Sequence, residues 1–456
     1  MARRPPKLSS HRQSLTTSSA APLNGRLLNR RNFLRSSVAG GIVLSMSPQL
    51  IRGQVLGANE RLNLGIIGVG GRGEGNLAAV STENIVALCD VDEHRLNAAA
   101  ARFPQAQKYF DYRQLLEQQN LDAVVISTPD HHHAPATMRA LRRDLHVYCE
   151  KPLTHTVAEA RLIHQLSAQK KLATQMGTQN HEHPGYLRLV EWLQSNVIGA
   201  VHEVHVITDR PGGFWQQGMN LPTTKELTPE HLHWDLWLGP AAGRDYHPAF
   251  VPFRWRGWWD FGCGAIGDMA IHLADPAFWA LELSGPVTVT SQGPPPLDHC
   301  GPTWMTTLLE FEARGKHPAL KLFWYEGTAK PPAEIQAELP MNGSLFIGER
   351  GRIAIQHDNF PRLLPAEDFA DFVPPEPFLP NTVGHHQQWI QACKTGVRTS
   401  CPFSYAAPFT EYVLLGNVAY RHQRPIQYDI LTGKITNDPT ANQWLSKSYR
   451  PGWEVN

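Results

Sequence analysis

Long apolar runs are missing from this sequence: no stretch of about 18 apolar residues occurs, which excludes a polytopic membrane protein. Cysteine is scarce. The six cysteines, at positions 89, 149, 263, 300, 393 and 401, form no Cys-x-x-Cys pair, so neither a disulfide framework nor a zinc ribbon is expected and they read as buried thiols. Surplus charge of one sign is missing as well, since 42 Lys and Arg stand against 41 Asp and Glu. Nine of the basic residues and none of the acidic ones fall in the first 52 positions, so the remaining body is acidic by eight charges. An acidic body repels a polyanion, and no nucleic-acid partner is expected. What is present is 42% hydrophobic residues in 456 positions, enough for two packed domains.

The basic start contains Asn29-Arg30-Arg31-Asn32-Phe33-Leu34-Arg35 and then Ser36 to Leu50, mildly apolar and free of acid. That layout resembles a twin-arginine export signal at Arg30, Arg31, Phe33 and Leu34. Asn29 stands where Ser or Thr is usual, Arg35 where Lys is usual, and no clean Ala-x-Ala site follows. Residues 1–58 are therefore expected to be signal and linker. The resemblance implies the twin-arginine machinery as a partner, a periplasmic or otherwise exported location, and no membrane span after processing. A basic tail with a short amphipathic helix is the alternative.

From Arg61 onward, strand-length apolar runs alternate with helix-length periodic stretches, the pattern of β-α-β units and a parallel sheet. Strands are expected near 62–67, 84–89, 122–127, 145–149 and 172–176, within a dinucleotide-binding Rossmann domain at 59–183. The first strand runs into Gly68-Val69-Gly70-Gly71-Arg72-Gly73, a Gly-x-Gly-x-x-Gly at a strand-to-helix turn. Gly68 allows the tight turn, Gly70 the approach of a pyrophosphate, and Gly73 close helix packing, with Gly71 and Arg72 in the same cradle. The second strand ends in Asp90, whose carboxylate suits two ribose hydroxyls and would repel a 2′-phosphate. NAD is thus expected over NADP, and Val91-Asp92-Glu93 offers no adjacent Arg.

A third strand leads into Thr128-Pro129-Asp130-His131-His132-His133. Adjacent residues entering a helix cannot all face one ion, and no acidic or cysteine partner lies at zinc-ligand spacing, so no metal is expected. His131 and His133 are expected to line the crevice at the strand's carboxyl end, His131 towards the cofactor and His133 towards the substrate. The fourth strand ends in Glu150-Lys151-Pro152. A lysine there, beside a nicotinamide ring, can stabilise an alkoxide, although a Glu150–Lys151 surface pair fits the spacing equally well. Further on, Asp268 and His272 stand four apart in a helical pattern from Ala265 to Leu283 and share a face. A neutral histidine can take a hydroxyl proton while the carboxylate orients it, and a structural polar pair is the other reading.

Gly68-x-Gly70-x-x-Gly73, Thr128-Pro129, Glu150-Lys151-Pro152, Gly267-Asp268-x-x-x-His272 and Arg450-Pro451-Gly452-Trp453-Glu454 occur in the order of the Gfo/Idh/MocA family. The resemblance runs from about Arg61 to the end. It implies a nicotinamide-dependent sugar or inositol oxidoreductase, with Lys151 and His272 at the reacting hydroxyl and Asp268 in substrate binding and support. It places Thr128, Pro129 and Glu150 at the cofactor. It also implies an α+β second domain at 184–456 with a mostly antiparallel open sheet, and a homo-oligomer formed through that sheet.

Within that second domain a helix is expected over 186–196, and strands near 202–208, 287–291, 304–312, 318–325 and 344–355. Helices near 382–395 and 405–422 are expected to pack back across the domains. Gln179, where the β-α-β rhythm stops, is placed at the substrate end. The run from Arg210 to Gly264 is rich in Trp, Pro and Gly and too long for structureless loop. In it, Arg256, Trp258 and Trp259 are expected to meet the hydroxyl rim and C–H face of a carbohydrate, with a core or interface cluster as the alternative reading. Export implies redox-neutral turnover, either resembling glucose-fructose oxidoreductase or resembling glycoside hydrolase family 109. A plain inositol-type dehydrogenase and a sugar-binding protein without chemistry are the other possibilities.

Overall fold

The computed structural model describes residues 60–455 apart from Gly213 and Thr382, so the expected twin-arginine segment lies outside the described residues. Six strands, β1 (Asn63–Ile67), β2 (Asn84–Cys89), β3 (Gln107–Tyr109), β4 (Ala123–Ile126), β5 (His146–Glu150) and β6 (Thr174–Gly177), form the first sheet. All pair in parallel, in the order β3-β2-β1-β4-β5-β6. β4 is fully buried, as a strand covered by helices on both faces must be. Leu64, Ile66, Val124 and Val125 are fully buried there, each contributing about 2 kcal/mol by leaving water. The strand order reverses between β1 and β4, and that opens a crevice at their carboxyl ends. Only β3, three residues long and half exposed, gave too little apolar pattern to be foreseen.

The second sheet contains β7 (Val201–Thr208), β8 (Val287–Gln292), β9 (Trp304–Phe311), β10 (Leu320–Gly327), β11 (Gly343–Gly348), β12 (Gly351–Gln356), β13 (Arg362–Leu364), β14 (Ile426–Asp429) and β15 (Lys434–Ile435). Their order is β13-β12-β11-β7-β10-β9-β8-β14-β15, antiparallel except for the β7–β10 pair. On β10, Leu320, Leu322 and Trp324 join the main core while Phe323 and Tyr325 face a smaller cluster on the opposite side. The strand expected over 344–355 is instead the β11–β12 hairpin, turning at Glu349-Arg350. Its two apolar halves read as one run because the turn carries no Asn-Gly or Asp-Gly signal.

The helix expected from Ala265 to Leu283 is broken. A π-turn over Ile266–Ala270 leads into Ile271–Leu273, and a new helix starts at Asp275–Ala280. Pro276 stands in the first turn of the new helix, the position where its missing N–H costs nothing. The helix Phe403–His422 packs on Val157–Ala168, and His385–Thr395 returns to the first sheet, where Trp389 and Cys393 share a core with Leu64 and Tyr148. Among the described residues no helix is long and apolar enough to cross a membrane.

The described residues of the long run from Arg210 to Gly264 reach back to the first sheet. Asp92 forms a β-bridge with Leu232, Glu93 N donates to His231 O at 2.9 Å, and His233 N donates to Val91 O at 2.9 Å.

Candidate active site

A cavity of about 830 Å³ follows the crevice from the β2 end to the second sheet. Its floor at one end is the glycine turn. A Cβ on Gly73 would lie 2.0 Å from Gly68 O, so the helix Arg72–Ala79 approaches β1 as closely as only glycine permits. Gly71 (φ +57°) has open space where a side chain would stand. Asp90 takes Val69 N at 2.9 Å on one oxygen and Asp92 N at 3.0 Å on the other. Burial pushes its carboxyl up, against those two amides and Arg95. Arg95 is a residue the sequence reading missed. The helix that begins at Glu93 turns it back onto Gly70, so an arginine does stand beside Asp90 in the cleft.

These residues fit a dinucleotide. Gly71 leaves room for a pyrophosphate at a helix N-terminus, and Thr128 Oγ1 is buried with no hydrogen-bond partner among the described residues. Thr128, Pro129, Glu150 and Lys151 all border the cavity. Glu150 does not pair with Lys151. It accepts from Arg72 Nε at 3.2 Å, Asn76 Nδ2 at 2.9 Å and Gln179 Nε2 at 2.9 Å, tying the end of β5 to the glycine-turn helix.

Lys151 reaches across to the second domain instead. Its Nζ donates to Asp268 Oδ1 at 2.7 Å and to Asp268 O at 2.9 Å. Arg256 Nε and Arg210 Nη1 stand 3.5 and 3.6 Å from the same carboxylate. Burial opposes the charge on Asp268, but Lys151 and Arg256 outweigh it and hold the carboxyl well below its ordinary range. Asp268 is therefore the anchor of Lys151 rather than the orienter of the imidazole. That second role falls to Thr178. Its hydroxyl donates to Ile271 O at 3.2 Å, so its lone pair accepts from His272 Nδ1 at 3.3 Å and Nε2 is left as the basic nitrogen. Burial and the nearby Lys151 and His357 hold His272 well below the ordinary imidazole pKa, so it is neutral at pH 7.

Four expected contacts are corrected by the packing. His131 and His133 stand in the wall behind the cavity rather than facing it. His131 is fully buried, with Nδ1 3.2 Å from Phe261 O and Nε2 3.1 Å from Trp237 O. His133 has Nδ1 2.7 Å from Pro152 O and Nε2 2.8 Å from Thr128 O. Each of its ring nitrogens faces a carbonyl, so His133 clamps the turns that carry Thr128 and Lys151, and unlike His131 it stands where its surroundings favour a charged ring. Burial opposes that charge, yet Cys149, Asp130 and the carbonyl bond push its pKa up to about 10. Trp258 and Trp259 are packing residues: Trp258 donates to Ala249 O at 3.0 Å inside an aromatic cluster, and Trp259 donates to Leu297 O at 3.2 Å. Trp258 packs within the loop's own aromatic cluster, and Trp259 packs away from the cavity against the main core. The aromatic surface facing the cavity comes from Trp237, Phe253 and Trp255, with Arg256 stacked 4.3 Å over Trp255. Gln179 and Arg256 border the cavity as expected; Phe110, Asn180 and His357 join them without any sequence signal.

A parallel sheet with this strand order, opening at its switch point onto a lysine and a neutral histidine, is the arrangement of a nicotinamide-dependent oxidoreductase fold. Residues 62–178 match the family model described as oxidoreductase family, NAD-binding Rossmann fold, and residues 193–315 match its C-terminal alpha/beta domain. The chain belongs to the Gfo/Idh/MocA family. It is 32% identical over 150 residues to the inositol 2-dehydrogenase of Salmonella typhimurium, a stretch covering 32% of this chain and 45% of that protein. It is 33% identical over 159 residues to a glycosyl hydrolase family 109 protein of Saccharopolyspora erythraea, covering 29% of this chain and 35% of the relative. The chain thus spans less than half the length of these curated relatives. The WlbA dehydrogenase of Bordetella pertussis, solved with NADH and UDP-GlcNAcA, shares the fold with a TM-score of 0.56 at 17% identity, covering 81% of this chain and all of that one.

Proposed function

We propose that this chain is an NAD-dependent oxidoreductase acting on a ring hydroxyl of a sugar, sugar derivative or glycoside. The observation that carries this reading is the meeting of Lys151, from the end of β5, with Asp268 and His272, from the broken helix, at one end of the dinucleotide cleft. NAD in that cleft supplies the acceptor for the substrate's hydride. His272 Nε2, neutral at pH 7, takes the hydroxyl proton, and the Lys151 ammonium, held by Asp268, faces the oxygen as negative charge builds on it. Trp255 and Phe253 offer flat apolar faces to sugar C–H groups, and Arg256 offers donors to hydroxyls.

Export by the twin-arginine route to the periplasm is part of the proposal. It is supported by Arg30-Arg31-Asn32-Phe33-Leu34 and the acid-free stretch after it. In that compartment a cofactor that is not regenerated must stay bound, so turnover is redox-neutral. Self-association through the outer face of the second sheet, where Trp304, Phe323 and Ile347 are only partly buried, completes the reading.

The test is to purify the protein without added cofactor, denature it, and measure nicotinamide nucleotide per chain. The native protein is then assayed with a panel of sugars, cyclitols and aryl glycosides. Stoichiometric NAD, with oxidation of one sugar coupled to reduction of another, supports the proposal. Failure to contain or bind NAD overturns it. A second reading, transient oxidation followed by elimination of an aglycone, is favoured by the likeness to the family 109 protein. Release of the aglycone with no net NADH would select it.

A further inference from the structure

A cluster outside the catalytic centre lies where the long loop meets the first sheet. Asp92, His94 and His231 place one ligand atom each within 4.8 Å of one another. The three come from two segments about 140 positions apart, and no sequence spacing could have joined them. Their backbones are already fixed by the Asp92–Leu232 bridge and by Glu93 N donating to His231 O at 2.9 Å. The His94 and His231 rings lie 4.1 Å apart and nearly parallel. Asp92 uses Oδ1 to cap the helix at His94 N and Arg95 N, at 3.0 and 3.3 Å, and Oδ2, which faces Arg95 Nε at 3.5 Å, keeps a lone pair for a ligand.

We propose that Asp92, His94 and His231 form a binding site for a divalent transition metal of the zinc class. Two imidazoles and one carboxylate are the donor set such an ion takes, with the fourth position left to water. Ligand atoms about 2 Å from a tetrahedral ion stand roughly 3.4 Å apart, so from within 4.8 Å the side chains close by up to about 1.4 Å and the rings tilt out of their stack. Rotation about side-chain bonds is enough, because the bridge fixes both backbones in place. His94 is exposed and gives the ion an entry path. Asp92 and His231 border the cavity beside Asp90, so the ion fastens the loop over the adenosine end of the cleft. The site is a staple, and its role is retention of the loop rather than chemistry.

The experiment uses the full exported chain without a histidine tag, stripped with a chelator and titrated with zinc chloride by calorimetry. One equivalent per chain is expected. His94→Ala and His231→Ala, both with unchanged circular dichroism, are expected to weaken it roughly 100-fold. Zinc is also expected to slow proteolytic cutting within residues 209–264 in the parent and not in His231→Ala. Absence of stoichiometric binding overturns the proposal. So does binding that survives in the His94→Ala/His231→Ala double variant, since the ion then sits elsewhere. Binding that is lost in the variants without any change in loop cleavage keeps the site and overturns the staple.

Discussion

Lys151 Nζ holds both the side-chain and the backbone oxygen of Asp268, at 2.7 and 2.9 Å, across 117 positions of sequence. This pair of hydrogen bonds joins the first residue after β5 to the π-turn of the second domain. It fixes the lysine at the cleft while leaving its third N–H available.

Removing the anchor should therefore cost turnover without costing the cofactor. Asp268→Asn keeps the shape but not the charge, and kcat/KM is expected to fall roughly 100-fold or more. NAD per chain, measured after denaturation, is expected to be unchanged. An unaltered kcat/KM would show that the ion pair is only structural.

In the proposed reading the preference for NAD rests on Asp90, with Arg95 standing beside it. Asp90→Ala is expected to weaken NAD roughly 10- to 100-fold, the worth of hydrogen bonds to a charged group. The arginine that remains can pair with a 2′-phosphate, so NADP is expected to gain relative to NAD. Adding Arg95→Ala should remove that gain, and fluorescence titration of both nucleotides checks it.

Several buried imidazoles make the fold sensitive to acid. Burial, the largest cause at each, holds His131, His155 and His272 well below 6.5, and brings His132 down to about 3. Below pH 6.5 the unfolded chain takes up protons that the folded chain refuses, so stability falls as pH falls. His133 works in the other direction: its contribution is complete below pH 6.5 and is lost as pH rises towards about 10. Thermal melts from pH 8 to pH 4.5 are expected to show Tm dropping steadily below about 6.5. The same neutrality of His272 should place the acid limb of kcat/KM below pH 6.5.

Glu326 gives an opposite slope at one position. Burial pushes its carboxyl up to about 8, against the Trp324 indole N–H that donates to it at 2.8 Å. Between pH 4.5 and about 8 the unfolded chain loses a proton that the folded chain keeps, so stability falls as pH rises. Glu326→Gln should flatten that slope and raise Tm at pH 8 while leaving it nearly unchanged at pH 5. Melts of the two proteins at both pH values decide it.

Local order in the chain was enough to read the first sheet except for β3. Strand-length apolar runs, the glycine turn and Asp90 are encoded within a few residues of one another, and four of its strands fall within one residue of their expected bounds at each end, while a fifth starts at 174 where 172 was expected. The Lys151, Asp268 and His272 motifs were legible for the same reason. Which partner each side chain takes was decided only by tertiary packing. A charged group spends its free energy on whatever counter-charge lies within a few ångströms, and sequence does not carry that distance. Hence Glu150 turned to Arg72 and Asn76, Asp268 turned to Lys151, and His133 became a buried cation rather than a cleft residue. The run from Arg210 to Gly264 is the extreme case. Its composition announced an ordered loop, but only the fold could bring His231 to Asp92 and put Trp255, rather than Trp258, at the cavity.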